Sequence, residues 1–353
     1  MKNSKLFLLG LAGAFFLNSC STDDDGIPPE TEQPGDYANG VLILNEGSQS
    51  AGTVSYLDED LNAVEHNIFE QVNQGMDLGL YVQSIFFDEE NAYIISNGSN
   101  MITVVDRYTF EYKGAVDNGL NVPVYGTILN GKAYVTNIAD FGSVEDDYVA
   151  VIDLETLEVE EAVVAGGTIS EIVESNGMIY IEGASYGTGN AVRVFNPNTN
   201  SIEENIVLFE NEEGEMEGLN SLAVENGSLY ALTNQNLYVV DAENFQQTAM
   251  VDLSAIGNTA NLDIEDGMIY FTSGTSVYAM QTASAVAPET PVFSYESSSL
   301  YGQMYGFEVE NGLIYTSDAG DFASAGSVAI YDTSGIFIAE FSTGVAPNNF
   351  YFN

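Results

Sequence analysis

Hydrophobic and polar residues change places every second position along this chain, in short runs separated by polar turns. The clearest stretch runs from Asn130 to Gly166. Asn130-Gly131 suits a tight type I′ hairpin turn, because both residues tolerate positive φ. AYVTN (Ala133–Asn137) follows, then a long polar loop, then VAVID (Val149–Asp153), a turn, and VEEAVVAG (Val159–Gly166). Period-two alternation bounded by turn residues predicts β-strands joined as hairpins, and no helical period competes with it.

The same unit returns along the chain. Its turn pairs are Asn130-Gly131, Asn176-Gly177, Asn226-Gly227, Asp266-Gly267 and Asn311-Gly312, with Asn39-Gly40 and a degenerate Glu90-Asn91 before them. Three residues beyond each glycine, or its equivalent, stands Ile43, Tyr93, Tyr134, Tyr180, Tyr230, Tyr270 or Tyr315. A later strand of each copy ends at Asp58, Asp106, Asp153, Asn196, Asp241, Gln281 or Asp332. A period of about 40–50 residues with four short strands per copy predicts an all-β fold, a β-propeller. Six copies carry a strand before the turn: 82–87, 125–129, 170–174, 220–224, 260–264 and 305–309. The first copy lacks one, and Asn349–Asn353 supplies it from the C-terminus. The prediction is a seven-bladed ring of four-stranded blades closed by the last strand, spanning residues 41–353. The repeating tyrosines are expected in the core, since aromatic side chains pack well on pleated faces.

Length alone would suggest two or three domains, and the repeat overrides it. Composition changes the picture at the N-terminus. Lys2 and Lys5 precede an apolar run, Leu6–Leu17, too short to span a bilayer but laid out as a signal peptide (residues 1–19). Leu17-Asn18-Ser19-Cys20 resembles a bacterial lipobox, and Cys20 is the only cysteine, so no intrachain disulfide can form. Lipidation of Cys20 is expected, followed by an acidic, Pro- and Gly-containing tether to about residue 40. The acidic run after the cysteine also resembles the signal that exports some lipoproteins to the outer face of the outer membrane. A net charge of −47, from 53 acidic and 6 basic residues, repels phosphate backbones and excludes nucleic acid as a partner.

AYVTN and the following VAVIDLETLEV resemble the YVTN-type propeller repeat of secreted bacterial surface proteins. VLILNEGSQSAGTVSYLD (Val41–Asp58), then Phe69, Asn73 and Leu78-Gly79, resemble the opening of surface lipoproteins in that group. The closing IYTSDAGDFASAGSVAIYDTSGIFIAEFSTGVAPNNFYF is similar to their last blade. Members include the BtuG-type lipoproteins, which capture cobalamin outside the cell and pass it to a TonB-dependent outer-membrane transporter. The resemblance implies a lipid-anchored outer-membrane protein facing the exterior, which binds a small organic nutrient, with a corrinoid the first candidate.

Ligands are expected on the face formed by the loops between second and third strands and the segments leading into each first strand. Polar residues there are Asn45-Glu46, Ser96-Asn97, Asn137, Thr233-Asn234, Ser273 and Asp318; Phe141, Tyr186 and Phe322 stand in neighbouring loops. Met76, Tyr81, Tyr125, Met216, Tyr301 and Tyr305 come from the leading segments. From these, Glu46, Tyr81, Asn97, Tyr125, Asn137, Phe141, Tyr186, Asn234, Tyr305, Asp318 and Phe322 are the candidate ligand-binding residues. Apolar surface punctuated by amides and carboxylates suits a large organic ligand. The competing reading is that Asn, Ser and Asp at strand ends satisfy loop backbone groups.

Catalysis is not expected. The single histidine, His66, falls in the segment 63–69 read as the outer strand of the first blade, far from the axis. A Ser-His-Asp arrangement or a His/Cys zinc site therefore has no partner. No cofactor is expected; calcium is the one metal the acidic loops (Asp140, Glu145, Asp146 and Asp147; Asp318 and Asp321) could take. Two rival functions follow from these features: a calcium-dependent, lactonase-like propeller hydrolase, and a surface scaffold for protein or glycan.

Overall fold

At the five complete Asn-Gly and Asp-Gly pairs both residues take positive φ, as at Asn130 (54°) and Gly131 (76°) or Asp266 (50°) and Gly267 (73°). That is the backbone of a type I′ turn, whose twist matches the strands it joins. The computed structural model describes residues 35–185, 188–207 and 217–353. Cys20, Tyr186 and Met216 lie outside the described residues.

Seven four-stranded antiparallel sheets form, one per repeat, and each is a blade of a β-propeller. In blade 2 the spatial order is Val82–Phe87, Asn91–Ser96, Met101–Asp106, Tyr112–Val116. Blades 3 to 7 repeat it, with first strands Pro123–Leu129, Ile172–Ser175, Leu219–Glu225, Thr259–Glu265 and Gln303–Glu310. Each first strand lies beside the first strand of the next blade, so these strands surround the axis. Blade 1 is completed from the other end of the chain. Pro347–Phe352 pairs antiparallel with Val41–Asn45 and becomes its innermost strand. Where the other blades have a covalent turn, blade 1 has a hydrogen bond from Asn353 N to Gly40 O at 3.3 Å. Closure this way gives blade 1 its four strands and ties both ends of the propeller into one sheet.

The repeated positions build the frame. Tyr93, Tyr134, Tyr180, Tyr230, Tyr270 and Tyr315 are all buried, as is Ile43. Each tyrosine faces a residue seven positions upstream on the first strand, as Phe86 opposes Tyr93 and Glu308 opposes Tyr315, while Ile43 faces Phe350 of the C-terminal strand. The strand-ending aspartates serve the outer hairpins. Asp106 Oδ1 accepts from Tyr108 N and Thr109 N at 3.0 Å, and Asp153 Oδ1 from Glu155 N and Thr156 N at 2.9 and 2.8 Å. An Asx turn of this kind fixes a bend that backbone alone would leave loose.

One predicted element differs. The outer strand of blade 1 covers only Val64–Glu65, and Ile68–Val72 is a short helix. Ile68 and Phe69 are consecutive and both buried. Adjacent strand residues point to opposite faces, so only a helical turn buries both in one core. His66 sits exposed between the two elements.

Candidate functional site at the propeller axis

Loops joining second to third strands, and those leading to the next first strand, emerge at one end of the ring; the Asn-Gly turns emerge at the other. The former is called the loop face here. Around the axis each first strand has one edge with no ladder partner. Unpaired backbone groups are costly when water is excluded. Side chains from neighbouring blades meet that demand in a continuous ring.

Asn348 Nδ2 of blade 1 donates to Val82 O and Gln83 O of blade 2 at 3.3 and 3.1 Å. Ser84 Oγ donates to Val124 O of blade 3 at 2.6 Å, and Thr136 Oγ1 to Ser170 O before the first strand of blade 4 at 2.8 Å. Glu171 Oε2 accepts from Leu222 N of blade 5 at 3.3 Å, and Ser221 Oγ from Leu262 N of blade 6 at 3.2 Å. Asp263 Oδ2 accepts from Val309 N of blade 7 at 2.6 Å, and Ser317 Oγ donates to Pro347 O at 2.6 Å, returning to blade 1.

Inside this ring lies a cavity of about 430 Å³, bounded by Gln83, Tyr125, Glu171, Asn261, Asp263, Tyr305, Glu308, Asn348 and Asn349 among others. A second space of about 480 Å³ continues toward the turn face and shares Tyr125, Glu171, Glu308 and Asn349 with the first. The lining is acidic. Burial pushes Glu171 up to about 7 and Asp263 up to about 6, with the backbone donors opposing the shift. Burial, reinforced by the charges of Asp263, Glu171 and Glu310, raises Glu308 well above the usual carboxylate range. Glu308 makes no hydrogen bond among the described residues, unlike Asp263 and Glu171.

Among the described residues no lysine or arginine lines the cavity beside these carboxyls. Among the described residues, Arg107 binds Asn353 Oδ1 at 2.9 Å and Lys113 pairs with Asp106 at 3.0 Å. Lys132 pairs with Glu160 at 2.5 Å, and Arg193 Nη1 donates to Asn205 Oδ1 at 2.6 Å. None of the four lines the cavity.

Several predicted residues meet at the loop-face mouth of this channel. The Tyr305 hydroxyl donates to Glu46 Oε2 across the junction of blades 7 and 1. Phe322 packs edge-on against Tyr305, with ring centroids 5.0 Å apart. Asn97 Nδ2 donates to Gln83 Oε1 at 3.0 Å, and Gln83 Nε2 reaches the Tyr125 hydroxyl at 3.5 Å. Burial raises the Glu46 carboxyl, and the Tyr305 hydroxyl acts against that. Met76, Leu80, Tyr81, Phe141, Leu300 and Tyr301 are exposed apolar side chains on loop-face segments.

Other predicted residues are engaged in the scaffold. Asn137 is fully buried, donating to Val135 O at 2.9 Å and accepting from Asn121 N at 3.0 Å. Asn45 donates to Ser55 Oγ at 3.1 Å and accepts from Gly344 N at 2.9 Å. Asn234 accepts from Asn220 Nδ2 at 2.8 Å. Asp318 accepts from Ser297 Oγ and from Gly320 N, and borders a cleft with Tyr295, Tyr331 and Glu340 away from the axial cavity. Phe141 stands at a loop tip, 66% exposed.

Acidic loops do not assemble into a cage. Among the described residues no group of three or more His, Cys, Asp or Glu side chains is placed to hold a metal. Asp140 Oδ1 instead accepts from Gly142 N at 2.8 Å, and Asp321 Oδ1 from Ala323 N and Ser324 N at 3.0 and 2.7 Å. Asp147 is buried at 1% exposure, which pushes it up to about 6.

Inner-strand residues Gln83, Glu171, Asp263, Glu308 and Asn348 were not among the sequence candidates. A signal for two of them exists: Asp263 and Glu308 occupy the position seven residues before a repeat tyrosine, flanked by apolar neighbours (Leu262, Ile264; Phe307, Val309). Counting back from Tyr270 and Tyr315 finds both.

Residues 39–342 match the family described as "Domain of unknown function (DUF5074)", and the chain belongs to that family. No curated protein matches it. Among solved structures, a Bacteroides thetaiotaomicron protein described as "Quinonprotein alcohol dehydrogenase-like" superposes with TM-score 0.65 at 15% identity, covering 90% of this chain and 78% of that one. The computationally designed Ika8 protein gives 0.56 at 11% identity, covering 91% and 93%. BamB from Moraxella catarrhalis gives 0.52 at 15% identity, covering 90% and 89%. At these identities the likeness is one of fold.

Proposed function

We propose that this member of the DUF5074 family is a surface-anchored binding protein that captures a small organic nutrient at the loop-face mouth of its axial channel. The observation that carries the reading is the meeting of Glu46, Tyr305, Phe322, Gln83, Asn97 and Tyr125 above a cavity of about 430 Å³. A concave site with aromatic walls and a few oriented polar groups is what organic ligands use. Exposed apolar side chains on the loop-face segments, such as Tyr81 and Tyr301, would suit a ligand larger than the cavity. A corrinoid, implied by the resemblance to BtuG-type lipoproteins, would lie across the mouth, since its ring system is too large to enter.

In this reading Cys20 carries the lipid, the tether holds the propeller off the outer membrane on the exterior side, and a TonB-dependent transporter receives the ligand. The protein acts by binding, without a cofactor and without turnover. Titration calorimetry of the full chain with cyanocobalamin tests the corrinoid assignment: one saturable site, weakened by Tyr305→Ala, is expected. Absence of heat together with an unchanged melting temperature removes corrinoids as the ligand.

A further inference from the structure

We propose that Asp147 is a proton-operated latch for the long loop of blade 3, residues 138–147: its neutral carboxyl keeps the loop seated at the junction with blade 4, and ionisation releases it. The inference goes beyond ligand capture and does not depend on which ligand binds.

The loop joins Lys132–Asn137 to Tyr148–Asp153, the second and third strands of the blade, on the loop face. Its start is tied to the segment before the first strand. Ile138 N donates to Val122 O at 3.1 Å, Ala139 N to Asn121 O at 3.2 Å, and Asn121 Nδ2 to Ala139 O at 2.8 Å. Further on, Gly142 N, Ser143 N and Glu145 N find acceptors inside the loop, at Asp140 Oδ1, Asp140 O and Ser143 Oγ. Phe141 and Val144 ride on this part, 66% and 50% exposed. The far end is held by Asp147, whose carbonyl accepts from Ala165 N at 2.8 Å and whose side chain is buried.

That side chain breaks the rule for buried polar groups. Asp147 is 1% exposed, and neither carboxyl oxygen has a hydrogen-bond partner. A buried carboxylate without donors is far costlier than the neutral acid, so the seated form is the protonated one. The charged groups facing it are Asp146, next in the chain, and Arg193 from the third strand of blade 4. Arg193 is engaged by Asn205 Oδ1 at 2.6 Å and Thr168 O at 3.3 Å, and is not bonded to the carboxyl. Burial raises Asp147 and the charge of Asp146 adds to it. The Ile169 N–H and Arg193 oppose the shift from beyond bonding geometry, and the outcome is about 6. An aspartate in water titrates near about 3.9. The seated loop therefore holds the proton more tightly than the released loop, and release gains ground as pH rises through 6.

The test is hydrogen exchange of the full chain, read by mass spectrometry from about pH 5 to about pH 8 and corrected for the intrinsic rate at each pH. Protection of the loop amides, and of Ala165 N on Asp147 O, should fall roughly tenfold over that range. The outer turn of the same blade, where Glu155 N and Thr156 N bond Asp153 Oδ1, should keep its protection. Asp147→Asn carries a group that stays neutral, and should hold the loop at its low-pH protection throughout. Unchanged protection of the wild-type loop, a fall shared equally by the outer turn, or the same fall in Asp147→Asn would each overturn the inference. Should Asp147→Asn fail to fold, the contrast between loop and outer turn in the wild-type chain decides.

Discussion

Blade 2 and blade 7 use one register to opposite ends. In blade 2 the residue facing the repeat tyrosine is Phe86, stacked on Tyr93 with centroids 4.9 Å apart and planes 7° from parallel. Gly126 of blade 3 makes room for it, since a Cβ there would come within 2.5 Å of the Phe86 ring. In blade 7 the same position holds Glu308, facing Tyr315 and bordering the axial cavity. Hairpin, tyrosine and backbone pairing are shared. The difference teaches that the frame of a blade tolerates either a packed ring or a carboxyl at this point, because the axis supplies space that the interior of a blade does not. One choice fills the space between blades with a packed ring, and the other places a carboxyl at the edge of the axial cavity.

Phe86→Ala should produce the largest change. It removes a ring wedged between Tyr93 and Gly126, and loss of about 3–5 kcal/mol is expected on chemical denaturation. A loss below about 1 kcal/mol would mean that blade 2 is no better packed at this point than blade 7, and the contrast would fall.

Asp263→Ala comes next. It leaves Val309 N without its acceptor, for an expected loss of about 1–3 kcal/mol, and Asp263→Asn should recover part of it. Equal effects of the two substitutions would show that the carboxyl does not cap the neighbouring strand.

The pH response is smaller and carries the opposite sign to ordinary acid sensitivity. Glu171 and Asp263 are raised on folding, so the folded state binds more protons than the unfolded one between about pH 4 and 7. Stability is full below the unfolded carboxyl values and is lost as pH rises through 6 and 7. Melting should therefore be a few degrees higher at pH 5 than at pH 8. A flat or reversed profile, read by calorimetry, would contradict the buried carboxyl array.

Glu308→Gln should change least in stability and in the favourable direction, by up to about 1 kcal/mol at pH 8, because it removes a carboxyl that caps nothing. It should also flatten the pH profile. Clear destabilisation would reveal a structural partner for Glu308 and place it with Asp263 among the capping residues.

Much of this molecule can be read from its residues. The type I′ turns at Asn130-Gly131 and its relatives, the buried tyrosines and closure by the C-terminal strand follow from local spacing. Asp153 and its equivalents were legible as strand ends, and their Asx turns explain why an acid recurs there. At the loop face the sequence found Glu46, Tyr305, Phe322, Asn97 and Tyr125, which the fold brings around one mouth. It could not separate these from Asn137 and Asn234, which are also strand-end asparagines and whose amides bond within their own blades. Short-range pattern reports on hairpins, and the hydrogen-bond partner of an amide is decided by which segment the folded blade sets beside it.

Sequence by itself therefore determined the repeat unit, its count and the point of closure, because turn chemistry and period-two alternation act over a few residues. Tertiary structure alone decided which strand edges lie unpaired at the axis, which side chains cap them, and that Glu308 caps none. Those outcomes depend on residues such as Asp263 and Val309, or Asn348 and Val82, that meet only when the ring closes. Distance along the chain carries no information about them.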